Sequence, residues 1–327
     1  MKFGSLGIAK ILEEGLIRPA QDHPEIKVIA VSSREESIAK DYAQVHSIKK
    51  YYSDYNSLII DKDVEAVYIP LPNGLHYEWA VKALEAGKHV LCEKPLCSNG
   101  FEAFSLFELA KNKNLILLDA YHHSFHPTFI RAKEIIKRGD IGEIKEIKGR
   151  FTVNIPRPDI RFDYNLSGGA FMDPGCYLVH ALVHFFEDFP EIVSTEVKRD
   201  KTDSRIDIKS KAELLIGGKT KAEIYSSIES KKDMEIWIEF LGEEGSLKID
   251  NYVRSEWGKL CLRGKDNITK EESFSSKSTF SHQLDKFLTL VQEGPNENLA
   301  NESKKIMKLL DELYIFSDLP IRGEEIQ

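Results

Sequence analysis

Cysteine is scarce in this chain: four residues in 327, Cys92, Cys97, Cys176 and Cys261. Four are too few for a disulfide scaffold, and they form no pair of close doublets of the kind that holds zinc. Reduced thiols in a cytoplasmic protein are expected. Positive charge is also in short supply, with 45 Lys and Arg against 53 Asp and Glu and a net −8. No global basic field gathers phosphate backbones or anionic lipids, so nucleic acid and membrane surfaces are excluded as first partners. Long apolar runs are missing too. The nearest approach to the roughly 18 residues of a membrane span is 178–186, and it contains His180 and His184. The opening MKFGSLGIAK is interrupted by Glu13 and Glu14 and reads as folded structure, not as a leader. Neither an internal repeat nor a low-complexity linker is visible.

What is present suits a folded protein. Hydrophobic residues make up 42% and aromatics 10%, too apolar for disorder, and the length fits about two domains at roughly 150 residues each. Over the first 120 residues, strands are expected at 2–6, 27–32, 64–70, 89–93 and 115–119, alternating with helices at 8–18, 35–46, 75–86 and 99–113. Parallel strands need such crossovers, so this half reads as an α/β doubly wound parallel sheet. Beyond it, a helix at 128–138 stopped by Gly139 precedes β-rich segments at 144–153, 192–197, 206–216, 219–228, 234–241 and 246–249. Short turns such as Gly217-Gly218 imply antiparallel pairing. In 234–241, Ile236, Ile238 and Phe240 alternate with Trp237, Glu239 and Leu241, so the second face needs a helix or a partner subunit to cover it. Helices return at 281–294 and 301–317, and the acidic tail after them is expected to be loose. The expected domains are 1–120 and 121–327, with the C-terminal helices free to pack back on the first.

Strand 2–6 runs into Gly7-Ile8-Ala9-Lys10-Ile11-Leu12 and then a helix. That order aims backbone N–H groups and the positive helix end at a pyrophosphate. The usual G-x-G-x-x-G is reduced to G-x-A-x-x-L, which also fits an ordinary strand–helix turn. The second strand ends in Ser32-Ser33-Arg34, where NAD-binding sheets often place an acid for the ribose hydroxyls. The Ser33 hydroxyl and Arg34 guanidinium suit a 2′-phosphate, so NADP(H) is favoured over NAD(H). Glu35 is the counter-reading, as a ribose ligand or a first-turn helix charge.

Three further motifs follow in order: Leu71-Pro72-Asn73-Gly74-Leu75-His76, Gly87-Lys88-His89-Val90-Leu91-Cys92-Glu93-Lys94-Pro95, and Gly168-Gly169-Ala170-Phe171-Met172-Asp173-Pro174-Gly175-Cys176-Tyr177. With these the chain resembles the Gfo/Idh/MocA oxidoreductase family over essentially its whole length. It looks most like the branch of dimeric dihydrodiol dehydrogenase, glucose-fructose oxidoreductase and sugar dehydrogenases, which carries D-x-G-x-Y where other members use histidine. The resemblance implies an N-terminal Rossmann domain and a C-terminal α/β domain with a large open, mostly antiparallel sheet. It implies NADP(H) and a homo-oligomer, dimer or tetramer, built on that sheet. It further implies a cis Lys94–Pro95 bond, Tyr177 as acid/base assisted by Lys94, and Asp173 orienting both. Leu71, Pro72, Asn73, His76 and Glu93 would line the cofactor cleft, and Arg161 would reach the cofactor.

The chemistry of the residues agrees. Moving a hydride from a carbinol carbon needs a group to take the hydroxyl proton. Lys94 follows the carboxyl end of a strand, where open α/β sheets bind ligands. A lysine there, partly desolvated and near an oxidised nicotinamide, gives up its proton more readily, and a tyrosine beside that lysine does the same. On the residues alone either is the proton acceptor, and a surface lysine, a core tyrosine and a helix N-cap at Asp173 are the plain alternatives. Tyr121, Arg157 and His180 join Lys94, Asp173 and Tyr177 as expected substrate contacts. His76 reads equally as a helix-start residue.

His122, His123 and His126 share one segment, and His180 and His184 stand at i, i+4. Two ligands on one helix face need a third, and Ala181-Leu182 supply none, so no metal is expected. Ser124 stands where dihydrodiol relatives tend to carry an arginine, which puts their substrate preference in doubt here. The reading is a cytoplasmic NAD(P)-dependent dehydrogenase or reductase acting on CH–OH groups. It moves hydride between nicotinamide and a secondary alcohol or carbonyl carbon of a sugar, polyol or trans-dihydrodiol. One alternative is a sugar-nucleotide dehydrogenase with phosphates anchored by Arg150, Arg157 and Arg161; another is a non-catalytic NAD(P)-binding sensor on the same fold.

Overall fold

Short apolar runs form the six parallel strands of the first unit, which comprises Met1–Ala120 and Phe280–Asn301. The computed structural model describes residues 1–323 except 232, 233, 267 and 275. The strands are β1 (Lys2–Leu6), β2 (Lys27–Ser32), β3 (Lys50–Tyr52), β4 (Ala66–Ile69), β5 (His89–Cys92) and β6 (Leu117–Asp119), in the order β3-β2-β1-β4-β5-β6. Their crossovers are α1 (Arg18–Gln21), α2 (Glu36–Val45), α3 (Tyr55–Ile59), α4 (Asn73–Glu85) and α5 (Gly100–Lys113). β3 and α3 escaped the sequence reading because Lys-Tyr-Tyr is a charged, half-exposed edge and α3 is a single turn capped by Asp54.

The helix expected at 8–18 starts later. Residues 8–11 form the turn, and a π-helical segment, Glu13–Ile17, leads into α1, with the Arg18 N–H donating to the Glu13 carbonyl. Pro19 has no N–H to continue a regular ladder there. Gly15 faces β4, where a Cβ would collide with the Tyr68 hydroxyl. That hydroxyl is buried and donates to Glu93 Oε1 at 2.7 Å. Gly15→Ala is expected to cost about 1–3 kcal/mol by overpacking, read from urea unfolding. Most of that cost should vanish in a Tyr68→Phe background; an equal cost in both backgrounds places the clash elsewhere.

The second unit comprises Tyr121–Thr279 and Glu302–Gln327. α6 (Pro127–Arg138) ends at Gly139, whose φ of +73° suits a left-handed cap. α7 (Cys176–Phe185) precedes β8 (Glu191–Arg199), β9 (Asp207–Ile216), β10 (Thr220–Ser227), β11 (Glu235–Gly242), β12 (Gly245–Asp250), β13 (Lys259–Gly264) and β14 (Thr269–Glu272). With β7 (Ile144–Thr152) they form one sheet, β14-β13-β12-β11-β7-β10-β9-β8, antiparallel except for the β7–β10 pair. Gly217 and Gly218, at φ +57° and +68°, turn β9 into β10. α7 packs on one sheet face because Gly149 makes room: a Cβ there would lie 2.8 Å from Leu178. The other face carries Arg150, Trp237, Glu239 and Leu241, all half-exposed. β13 and β14 were hidden in the sequence by their charge.

α8 (Thr279–Glu293) and α9 (Glu297–Phe316) follow. The tail expected to be loose is instead pinned as far as Arg322, which is fully buried. Its guanidinium donates to the Gly168 carbonyl (2.8 Å) and to Asp207 Oδ1 (2.9 Å), and Asp207 is itself fully buried. Among the described residues no helix is long and apolar enough to cross a membrane.

Candidate active site

β1 and β4 are neighbours at the point where the strand order reverses, the place where open parallel sheets bind ligands. Beyond their carboxyl ends lies a cavity of about 260 Å³ lined by Gly7, Ile8, Ala9, Ser33, Arg34, Glu35, Tyr55, Leu71 and Pro72. Gly7 is required: its φ is +95°, and a Cβ would lie 2.8 Å from Leu71. Its N–H donates to the Ser32 carbonyl at 3.0 Å, tying the start of the turn to the end of β2. The Ser33 hydroxyl accepts the Glu35 N–H at 3.2 Å. Arg34 is exposed and pairs with no carboxylate among the described residues. Lys10 is exposed and does not line the cavity.

Asn73 opens α4 after Pro72. His76 is fully buried, with Nδ1 2.9 Å from the Pro95 carbonyl and Nε2 2.7 Å from the Leu71 carbonyl. Burial pushes its pKa down to about 4 despite those carbonyls, so at neutral pH the ring holds one proton and donates to one of the two. His76 therefore stands between the loops after β4 and β5 and ties one of them to the first turn of α4, where the helix-start reading places it; its ring nitrogens face backbone carbonyls and it does not line the cavity. Glu93 is buried and likewise committed, to the Tyr68 hydroxyl. Lys94 is half-buried beside it, and both the Lys94–Pro95 and Arg157–Pro158 bonds are cis.

In the second unit, Asp173 lies in a π-helical turn, Phe171–Gly175, that runs into α7. Its N–H bonds to the Gly169 carbonyl at 3.0 Å, so it is an interior residue of the turn and not the N-cap. Arg161 is found on Asp173: Nε donates to Oδ2 at 2.7 Å, and a second nitrogen reaches Asp159 at 3.1 Å. Tyr177, on the first turn of α7, is buried among Phe151, Tyr121 and His123, with ring centroids 5.3, 6.0 and 5.4 Å away.

Three expected contacts are placed differently. Arg150 pairs with Glu235 (3.3 Å) and stacks on Tyr225, on the sheet face opposite to Gly149 and α7, because successive strand residues alternate faces. Arg157 holds Asp200 through both terminal nitrogens (3.0 and 2.9 Å) over the Phe162 ring. His180 is 1% exposed, with Nδ1 3.1 Å from His123 Nε2 and Nε2 3.3 Å from Glu302. It stacks on Tyr121, which is itself buried, at 4.4 Å. With both nitrogens committed, His180 offers none to a substrate. Burial lowers its pKa. Burial also pushes Glu302 up, but hydrogen bonds from His180 and His184 outweigh that and hold the carboxyl below its usual range.

Tyr68, Asp207, Glu302 and Arg322 were not found from sequence. Each acts on a partner 25 to 154 positions away, such as Glu93 for Tyr68 and Gly168 for Arg322, and no local pattern marks such pairs.

Residues 1–121 match the oxidoreductase family with an NAD-binding Rossmann fold, and residues 129–248 match the Gfo/Idh/MocA C-terminal domain. A D-xylose 1-dehydrogenase (NADP(+)) from Haloferax volcanii is 29% identical over 321 residues, 96% of each chain. A dTDP-3,4-didehydro-2,6-dideoxy-alpha-D-glucose 3-reductase from Saccharopolyspora spinosa is 30% identical over 90% of this chain and 88% of that one. A solved variant of a 3-ketoreductase from Actinomadura kijaniata, in complex with TDP-benzene and NADP, superposes with a TM-score of 0.90 at 26% identity, covering 96% of this chain and 97% of that one. Matches across both units, joined to the Rossmann order of the first sheet, place the chain in the Gfo/Idh/MocA family of oxidoreductases.

Proposed function

We propose that this oxidoreductase uses NADP(H) to interconvert a secondary alcohol and a carbonyl on a sugar, polyol or trans-dihydrodiol. The observation that carries the cofactor reading is the exposed Arg34 guanidinium lining the Gly7 cavity, which pairs with no carboxylate among the described residues. A planar cation beside a hydroxyl suits a phosphate on the ribose better than it suits two ribose hydroxyls. The residues fit a dinucleotide: the Gly7–Ala9 turn lines the cavity beyond β1 and β4, and Ser33, Arg34, Leu71 and Pro72 on the same wall would hold it, with Asn73 next to Pro72. When bound, it supplies or accepts the hydride at the nicotinamide. Tyr177 and Lys94 are assigned the hydroxyl proton, with Tyr177 the acceptor and Lys94 favouring its loss. Asp173, fixed by Arg161, is assigned to orient them.

Titration of nicotinamide fluorescence tests this. NADPH is expected to bind more tightly than NADH, and Arg34→Ala to weaken NADPH by roughly tenfold or more, as loss of a charge-assisted contact does, leaving NADH unaffected. Equal weakening of both, or a preference for NADH, overturns the 2′-phosphate reading.

A sugar nucleotide is the second substrate reading, supported by the name of the Saccharopolyspora spinosa relative. Of the three arginines that would anchor its phosphates, Arg150 is on the opposite sheet face, and Arg157 and Arg161 already hold carboxylates. The free sugar or polyol therefore ranks first, and kcat/KM for aldoses against dTDP-sugars decides. We also take the chain to be cytoplasmic and a homo-oligomer, dimer or tetramer, built on the sheet face that carries Trp237 and Leu241.

A further inference from the structure

One turn beyond Tyr177, α7 and α9 bring three metal-ligating side chains together. His180 and His184 stand one turn apart on α7, their rings stacked at 5.4 Å. Glu302 on α9 places Oε1 3.3 Å from His180 Nε2 and 3.0 Å from His184 Nδ1. One ligand atom from each residue lies within 4.8 Å of the other two. A tetrahedral zinc ion with bonds of about 2.0–2.2 Å holds its ligand atoms about 3.3–3.6 Å apart. Both carboxylate-to-imidazole distances are close to that spacing, and the two imidazole nitrogens, within 4.8 Å of each other, close to it by side-chain rotation.

We propose that His180, His184 and Glu302 bind one divalent transition cation of the zinc type, with a fourth position for water. The histidine pair has no third ligand near it in the sequence, and the fold supplies one from 118 residues downstream of His184. Two imidazoles and one carboxylate select zinc, cobalt or nickel over calcium or magnesium, which prefer all-oxygen sites. The supporting shell is in place: His180 Nδ1 faces His123 Nε2 at 3.1 Å, the outer hydrogen bond that orients a ligating imidazole. Entry is open, because the His184 and Glu302 side chains are 11% and 19% exposed. Loading turns a lone pair of each ring toward the ion. For His180 the ring proton then sits on Nδ1, where His123 Nε2 accepts it; for His184 it sits on Nε2. The ion would tie α7, which carries Tyr177 three residues before His180, to α9.

The test uses the full-length protein freed of metal by a chelator. Titration with Co²⁺ is expected to saturate at one equivalent with the intense visible absorption of a four-coordinate ion, and Zn²⁺ to displace it. Zn²⁺ at a hundredfold excess over Kd should raise the Tm by roughly 5 °C. Glu302→Gln and His184→Ala should each weaken Co²⁺ binding by about a hundredfold or more, and His46→Ala, at the residue that follows α2, should leave it unchanged. His184→Ala carries the test alone if Glu302→Gln does not fold. Failure of the wild-type protein to take up one equivalent, or uptake that survives both substitutions, overturns the site.

Discussion

Replacing Lys94 with alanine is expected to lower kcat by about 10²–10⁴-fold, the range for loss of a positioned proton-handling group, while NADPH affinity changes by only a few-fold. The expectation follows from how the segment is held. Glu93 is buried and fixed by the Tyr68 hydroxyl on one side, and His76 is placed to clasp the Pro95 carbonyl on the other. Few surface lysines are held between two buried clasps. Lys94→Arg should not restore turnover, because the larger planar guanidinium does not take the place of the compact ammonium. Tyr177→Phe should fall in the same range, since it removes the hydroxyl alone. The measurement is steady-state kinetics on any aldose, polyol or diol that the wild-type protein turns over, beside a fluorescence titration of NADPH. A Lys94→Ala protein within threefold of wild type would reduce Lys94 to a bystander. Wild-type protein that binds NADPH yet turns over none of these substrates would favour the sensor.

The parts legible in sequence were those with a local physical signature. β2 carries a Val-Ile-Ala-Val run and β1 a short Phe-Gly-Ser-Leu segment, each after a leading lysine, and both lie where their pattern puts them. Gly7 and Gly139 were legible because only glycine takes their positive φ without strain. The His180 and His184 pair showed its helical spacing but not its partner. What was illegible is the alignment of distant segments. Glu302 sits on a helix face that looks ordinary, and Arg322 sits in a stretch whose charge and length suggest a loose end. Arg150 shows the converse. Its type suited a phosphate, but the register of β7 with β11 sets it opposite Trp237 on the far face, and register is not written in the residue itself. His76 was legible as a motif member while its place between two backbone carbonyls depends on Pro95 being folded back beside it.

Substitution of Arg322 by alanine is expected to cost about 3–5 kcal/mol, the penalty for leaving one half of a buried ion pair uncompensated. Arg322 and Asp207 are both fully buried, and the pair does not stand alone. Asp207 Oδ2 accepts the Phe171 N–H and the Ser210 hydroxyl, each at 2.7 Å, and Oδ1 accepts the Tyr314 hydroxyl at 3.1 Å. Arg322 stacks on the Tyr314 ring while donating to the Gly168 carbonyl. Gly168 and Phe171 flank the entry to the turn that carries Asp173, so the tail residue positions a segment of the assigned proton-handling set from 149 residues away in the chain. Burial raises the Asp207 pKa and Arg322 opposes that rise. Without Arg322 the carboxyl takes up a proton at higher pH than it does in the wild type. Between those two pKa values the folded variant binds more protons than the folded wild type, so its deficit shrinks as pH falls. Urea unfolding at pH 7 and again at pH 5 checks the sign: the deficit should be larger at pH 7. An equal deficit at both would mean that Asp207 is not left as a buried charge. The double substitution Asp207→Asn with Arg322→Met should lose less than the sum of the single changes, since each single change strands a partner and the double strands neither. Arg322→Ala at a pH where it is mostly folded should also lower kcat more than it raises the Kd for NADPH, because the segment it holds leads to Asp173 and Tyr177 and not to the Gly7 cavity.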